Sequence, residues 1–245
     1  MELRSFSISL FQAIEHPLVA NSFFKKHVKV LESFGVEGVS SMSNDWQFKP
    51  TVWLFVMKNE VGEMIGGVRL DIKSGFSMPL EVALQDYPMV TSKVECLALA
   101  DGVAELCGLW IEKDYRRANL ANALMKAAIA TAPNIGVKYI LGFANEYSYK
   151  TTEKLGFRKI ESVENEGVFY YPDDRYRSLL IELDSTALYT LEEKDLQTIV
   201  EIREDLLCVS VENSQDGVSM VHYNMSTESI RIMKMAETVK ARLAA

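Results

Sequence analysis

The sequence predicts an α/β fold, a sheet flanked by helices, and three observations predict it. Residues 3–10 (LRSFSISL) alternate apolar and polar positions as a half-buried strand does, and helical spacing follows from about residue 12 to 34. Residues 52–58 (VWLFVMK) and 63–72 (EMIGGVRLDI) are β-rich runs joined across a four-residue turn, the pattern of a central hairpin. Residues 103–121 (VAELCGLWIEKDYRRANLA) then read as a strand carrying a carboxylate, a short loop and a helix with two arginines in its first turn.

The remaining elements follow in order. Residues 35–50, rich in Gly, Ser and Asn, read as a loop near a binding cleft. Residues 78–87 (MPLEVALQDY) suit a short helix with Pro79 in its first turn, and the connection from there to residue 103 carries no clear pattern. Leu120, Ala123, Leu124, Ala127 and Ala128 repeat as one buried helical face, and that helix stops near Pro133. Residues 137–143 read as a buried strand, 146–155 as a helix closed by Gly156, 157–163 as a strand and 175–183 as the last strand. After Asp184 two helices are expected, roughly residues 191–207 and 226–243, separated by the polar stretch VENSQDG. The boundaries are therefore a domain over residues 1–184 and a helical C-terminal extension over 185–245. The apolar face of that tail packs on its own domain or makes a homodimer.

Composition narrows the function. A chain of 245 residues with 48% hydrophobic content has the material for a full core. A net charge of -8 disfavours nucleic acid and anionic membranes as partners, even with Arg116 and Arg117 side by side. The start lacks the pattern of a secretion signal and no apolar run reaches the roughly 20 residues of a membrane span, so a cytoplasmic location is expected. Cys96, Cys107 and Cys208 are scattered and read as buried thiols rather than a disulfide or zinc framework. His16, His27 and His222 lack metal-ligand spacing, and neither a nucleophile elbow nor a phosphate-binding P-loop is present.

The stretch from 103 to 121 is where chemistry concentrates. A helix N-terminus offers unpaired backbone N–H groups and partial positive charge to an anion, and Glu105 upstream can handle protons. These residues resemble the central motif of the GNAT superfamily of acyl-CoA-dependent N-acyltransferases, in which Arg or Gln is followed after two residues by Gly, then one residue, then Gly or Ala. Here the motif stands as Arg116, Arg117, Ala118, Asn119, Leu120, Ala121, with Asn119 in the place of the usual glycine. The resemblance implies a mixed, mostly antiparallel sheet. It also implies that the backbone of residues 116–121 holds the pyrophosphate of coenzyme A and that Leu109 and Ile111 offer backbone groups to the pantetheine arm. Glu105 takes the place of the base that accepts the proton of the attacking amine. A structural carboxylate at that position is the alternative.

A second block, residues 145–157 (NEYSYKTTEKLGF), resembles the family's later helix at both ends. Asn145, at the end of a strand, suits a cofactor contact. Thr152 stands where many members carry a tyrosine that protonates the departing thiolate; Tyr147 and Tyr149 are close in sequence, and no general acid is assigned. The order of GGVRLDI, MPLEVALQDYP and AELCGLWI is also similar to acyl-homoserine-lactone synthases, with Arg69 matching a functional arginine. Arg69 is thus a candidate for binding a substrate carboxylate, or else half of a surface ion pair. Cys107 and Gly108 replace the Ser-Arg of those enzymes, which disfavours signal synthesis. Residues 169–177 (FYYPDDRYR) form a loop that either borders an acceptor site or is a turn of solvated charges. The resemblance therefore implies transfer of an acyl group from acetyl-CoA or another acyl-CoA to the amine of a small molecule or peptide. A catalytically inactive acyl-CoA-binding module on the same fold is the alternative.

Overall fold

The computed structural model describes residues 3–214, 217–228 and 230. A single sheet organises the chain. Strand β1 (Arg4–Gln12) leads through a 3-10 turn into helix α1 (Pro17–Glu32), whose first position is held by a proline that needs no hydrogen-bond acceptor. The loop that follows contains two further 3-10 turns, Ser40–Met42 and Asp45–Phe48. Strands β2 (Val52–Lys58) and β3 (Met64–Ile72) form the expected hairpin, and short helix α2 (Pro79–Ala83) follows. The unassigned connection is helix α3 (Pro88–Asp101), which buries Val90, Val94 and Leu97 while exposing Met89 and Leu99. Apolar residues on both faces blur its period, which is why the pattern was not legible.

Strand β4 (Val103–Ile111) runs into a 3-10 turn at Lys113–Tyr115 and then helix α4 (Leu120–Thr131). Arg116 and Arg117 therefore precede the helix instead of lying in its first turn. Strand β5 (Tyr139–Asn145) and helix α5 (Glu146–Lys154) come next. The strand expected over 157–163 shrinks to β6 (Arg158–Lys159), because β7 (Val168–Tyr170) takes over the same edge of β8 (Arg177–Asp184). The sheet order is β6, β8, β5, β4, β3, β2, β1, and all of these pairs are antiparallel except β4 with β5.

Beyond Asp184 the structure departs from a helical extension. Helix α6 (Glu193–Glu204) is present, but the described residues of the polar stretch VENSQDG, Val211–Ser214 and Gly217, belong to two antiparallel strands, β9 (Leu207–Ser214) and β10 (Gly217–Asn224). Strand β10 pairs parallel with β1, so this segment completes the sheet of the main domain. The boundary at 184/185 thus cuts through one sheet and one core: Ile199, Ile202, Val221, Tyr223 and Ile230 share a cluster with α4 and β2. The second expected tail helix lies outside the described residues for most of its length.

One face of the sheet is covered by α4 and α6, the other by α1, α2 and α3. Among the described residues no helix is long and apolar enough to cross a membrane. Cys107 is buried and Cys208 half-buried, whereas Cys96 on α3 is exposed, contrary to the reading of three buried thiols.

Candidate active site

The site begins with a parting of strands. β4 and β5 pair from Val103 with Tyr139 to Leu106 with Gly142, and beyond that point both strands continue without pairing to each other. The edge of β4 over residues 107–111 that faced β5 is therefore open for an extended ligand to lie along it. A bulge adds to the divergence. The register of β3 against β4 shifts between Gly67 and Arg69, and Gly108 in the extra pair of residues adopts φ +59°, a left-handed angle that side chains resist. A cavity of about 350 Å³ opens here, with Glu105, Leu106, Cys107, Gly108 and Leu109 from β4 facing Phe143, Ala144 and Asn145 from β5.

Glu105 lies in the wall of that cavity and is only 4% exposed. One carboxylate oxygen accepts a hydrogen bond from the backbone N–H of Leu80 in the first turn of α2, at 2.7 Å. Burial pushes its carboxyl up to about 8; the Leu80 N–H opposes this and the nearby Asp71 carboxylate adds to it. A carboxyl so placed accepts a proton far more readily at neutral pH than an exposed glutamate.

Strand geometry explains the company it keeps. Asp71 stands opposite Glu105 and Arg69 opposite Cys107, and since alternate residues share a face, all four side chains meet on one side of the sheet. Arg69 is fully buried, 3.5 Å from the Asp71 carboxylate and 3.2 Å by Nε from Cys107 Sγ, with its guanidinium 4.6 Å from the centre of the Trp46 ring. It also donates to the Ser41 carbonyl at 3.4 Å, tying the loop after α1 to the sheet. The ion pair expected at the surface is thus internal, and Arg69 sits behind Cys107 and Gly108 rather than in the cavity wall. His27 of α1 completes this side; burial, and then Arg69, push it down to about 3, so it is neutral at physiological pH. Cys107 is no nucleophile in waiting, because burial pushes its thiol well up.

The turn before α4 forms the other end. Asn119 adopts φ 58° and ψ 20°, the left-handed conformation that glycine supplies most easily and asparagine tolerates. Its side-chain amide donates to Glu212 of β9 at 3.3 Å. The first hydrogen bond of the helix runs from the Ala123 N–H to the Asn119 carbonyl, which leaves the N–H groups of residues 120–122 without acceptors inside the helix. Ala118 and Leu120 are buried, and Ala121 is half-buried. Arg116 is braced by a bond from its Nε to the Ile111 carbonyl at 3.1 Å and stacks on Phe34; Arg117 is exposed. The open edge of β4, the left-handed turn and the free N–H groups fit a ligand that combines an extended arm with a pyrophosphate.

The remaining walls come from the second motif block and from a loop outside both motifs. Asn145 lines the cavity and caps α5 by accepting the Ser148 N–H at 2.9 Å. Thr152 also lines it, but its hydroxyl is spent on the Tyr149 carbonyl at 2.9 Å. Tyr149 lies outside the wall, and the side chain of Tyr147 is outside the described residues. Phenols reach the cavity instead through Tyr171 and Tyr176, from the loop between β7 and β8, and the Ser40 N–H donates to the Tyr171 hydroxyl across the opening. That loop borders the cavity and also carries a solvated charge pair, Asp173 with Arg175 at 2.8 Å. The signal in sequence was its density of tyrosines; their direction was not legible.

Comparison with known proteins bears on the fold. An N-acyl amino acid synthase from uncultured soil microbes, FeeM, superposes with a TM-score of 0.59 at 13% identity over 79% of this chain and 98% of that one. A CoA-dependent acyl-homoserine lactone synthase, BjaI, gives 0.53 at 12% identity over 94% of this chain and 99% of that one. TofI in its apo form gives 0.53 at 14% identity over 79% and 95%. At such identities the likeness is one of fold. No curated protein matches the sequence. The model of the Acetyltransferase (GNAT) family matches residues 23–157, more than half of the chain and the stretch that holds the later part of α1, the bulged β4, the left-handed turn and α5, so the chain belongs to that family.

Proposed function

We propose that the protein transfers an acyl group from an acyl-CoA directly to the amine of a small molecule or peptide. The observation that carries this reading is Glu105, buried in the cavity wall just before β4 and β5 part, with the left-handed turn at Asn119 farther along the same chain segment. Acyl-CoA supplies the activated acyl group as a thioester. The backbone of residues 116–121, where the N–H groups of Leu120 and Ala121 lack a helical acceptor, holds its pyrophosphate, the backbone of Leu109 and Ile111 pairs with its pantetheine arm, and Asn145 borders the same cleft. As the acceptor nitrogen bonds to the acyl carbon and the C–S bond breaks, Glu105 takes the proton that the amine sheds and the thiolate of CoA leaves. Holding the two substrates together lowers the entropic barrier without a covalent enzyme intermediate. Arg69 acts behind the cavity: its charge holds Asp71 and Cys107 in place and anchors the loop at Ser41, which shapes the acceptor side.

The test is thiol release from acetyl-CoA and longer acyl-CoAs against a panel of amines, paired with calorimetry of CoA binding. Amino acids belong in the panel, since a structure of this fold is that of an N-acyl amino acid synthase. Binding with amine-dependent thiol release supports the proposal. Binding with no turnover across the panel favours a regulatory acyl-CoA-binding module, a reading that the missing phenol at Thr152 keeps specific. No binding at all removes both.

A further inference from the structure

We infer that Glu212, on a strand at the far edge of the sheet from β6, is a positioning residue for the coenzyme A turn, acting through Asn119; this rests on the acyl-CoA reading above. An asparagine held at φ 58° gives up the extended and right-handed conformations it otherwise prefers, whereas glycine adopts that angle freely. What offsets the difference here is a side-chain bond from Asn119 Nδ2 to Glu212 Oε2 at 3.3 Å. Glu212 is 1% exposed, so water does not compete for that oxygen.

Glu212 is itself fixed from three sides. Its other oxygen accepts from Lys126 Nζ at 2.6 Å and from the Ser210 hydroxyl at 3.2 Å, and Ser210 in turn meets the Tyr223 hydroxyl of β10 at 3.2 Å. Lys126 lies on α4 seven residues after Asn119, two turns along the same face, and is fully buried. Its ammonium also reaches Asp195 of α6 at 3.1 Å. A buried cation and carboxylate thus clamp the first two turns of α4 to the C-terminal hairpin, and the last bond of the clamp sets the backbone angle of the turn. The pair Asn119 and Glu212 does in this chain what a lone glycine would do without a brace.

A mutant cycle tests this. Glu212→Met removes the acceptor at similar volume, and Lys126→Met/Glu212→Met removes the orphaned ammonium as well, which guards against a misfolded single variant. We expect the double variant to raise the dissociation constant for coenzyme A, and the KM for acetyl-CoA, by roughly fivefold with kcat little changed. In the Asn119→Gly background the same change should be less than about twofold, because glycine needs no brace. An equal loss in both backgrounds, or no loss in either, overturns the inference. NMR of the ligand-free chain separates this from a failure of the underlying reading, through the Asn119 side-chain amide resonance. No shift of that resonance on Glu212→Met overturns the brace; a clear shift in a chain that binds no coenzyme A overturns the acyl-CoA reading instead.

Discussion

At the scale of single residues, Glu105 and His27 are titratable groups that folding moves in opposite directions. Glu105 rises from 4.5 to about 8 through burial, so the folded chain keeps a proton that the unfolded chain releases, and stability falls as pH rises from about 4.5 through 8. His27 falls from 6.5 to about 3 through burial and Arg69, so the folded chain refuses a proton that the unfolded chain takes, and stability is lost as pH falls from 6.5 toward 3. Above pH 6.5 only the first effect of the two remains. We expect the melting temperature to drop between pH 6.5 and 8, and Glu105→Gln to remove much of that drop; calorimetric melts across this range check it. The carboxylate itself was legible in sequence, as the charged residue in an otherwise apolar strand. Its surroundings were not, because the meeting of Arg69, Asp71, Glu105 and Cys107 is set by the register of two strands more than thirty residues apart. Burial of Arg69 follows from the same register, and no local pattern could separate an internal ion pair from a surface one.

Elements tell a related story in β9. Its core-facing residues are Cys208, Ser210 and Glu212, the last two buried, and its outward residues are the apolar Leu207, Val209 and Val211, each about half exposed. Hydrophobic alternation read alone turns this strand inside out, and neither the helical spacing up to about residue 207 nor the polar stretch from 211 marks it as a strand. The inversion has a cause: Glu212 must face inward to meet Lys126. Lys126→Met by itself should destabilise the fold by about 3–5 kcal/mol, because it leaves a buried carboxylate without its cation, while adding Glu212→Met should recover most of the loss. Urea unfolding of the single and double variants measures both. By contrast β2, β3, α4 and α5 were legible, since their apolar faces and turn residues are local and point to the same answer.

For the whole molecule, the main consequence is that the described part of the chain after Asp184, α6 with β9 and β10, is not an appendage. β10 covers the edge of β1, and α6 with Ile199 and Ile202 covers α4. A fragment ending at Asp184 should therefore lose cooperative melting by circular dichroism; a fragment that melts as sharply as the full chain would show that the sheet closes without its last two strands. The same architecture lets the C-terminal hairpin brace the turn before α4 while the two ends of the sheet remain far apart in sequence. Motifs predicted the family because they lie along one continuous segment, residues 23–157, whereas the brace depends on chain that lies beyond it.

If Glu105 serves acyl transfer as the base, the rate of CoA thiol release with an acceptor amine, followed against pH for the wild-type chain and Glu105→Gln, shows it most directly. We expect a wild-type rate that rises as Glu105 loses its proton near pH 8, and a variant slowed by roughly 100-fold or more that still binds coenzyme A with near wild-type affinity. A variant that turns over at the wild-type rate across the whole range would contradict it.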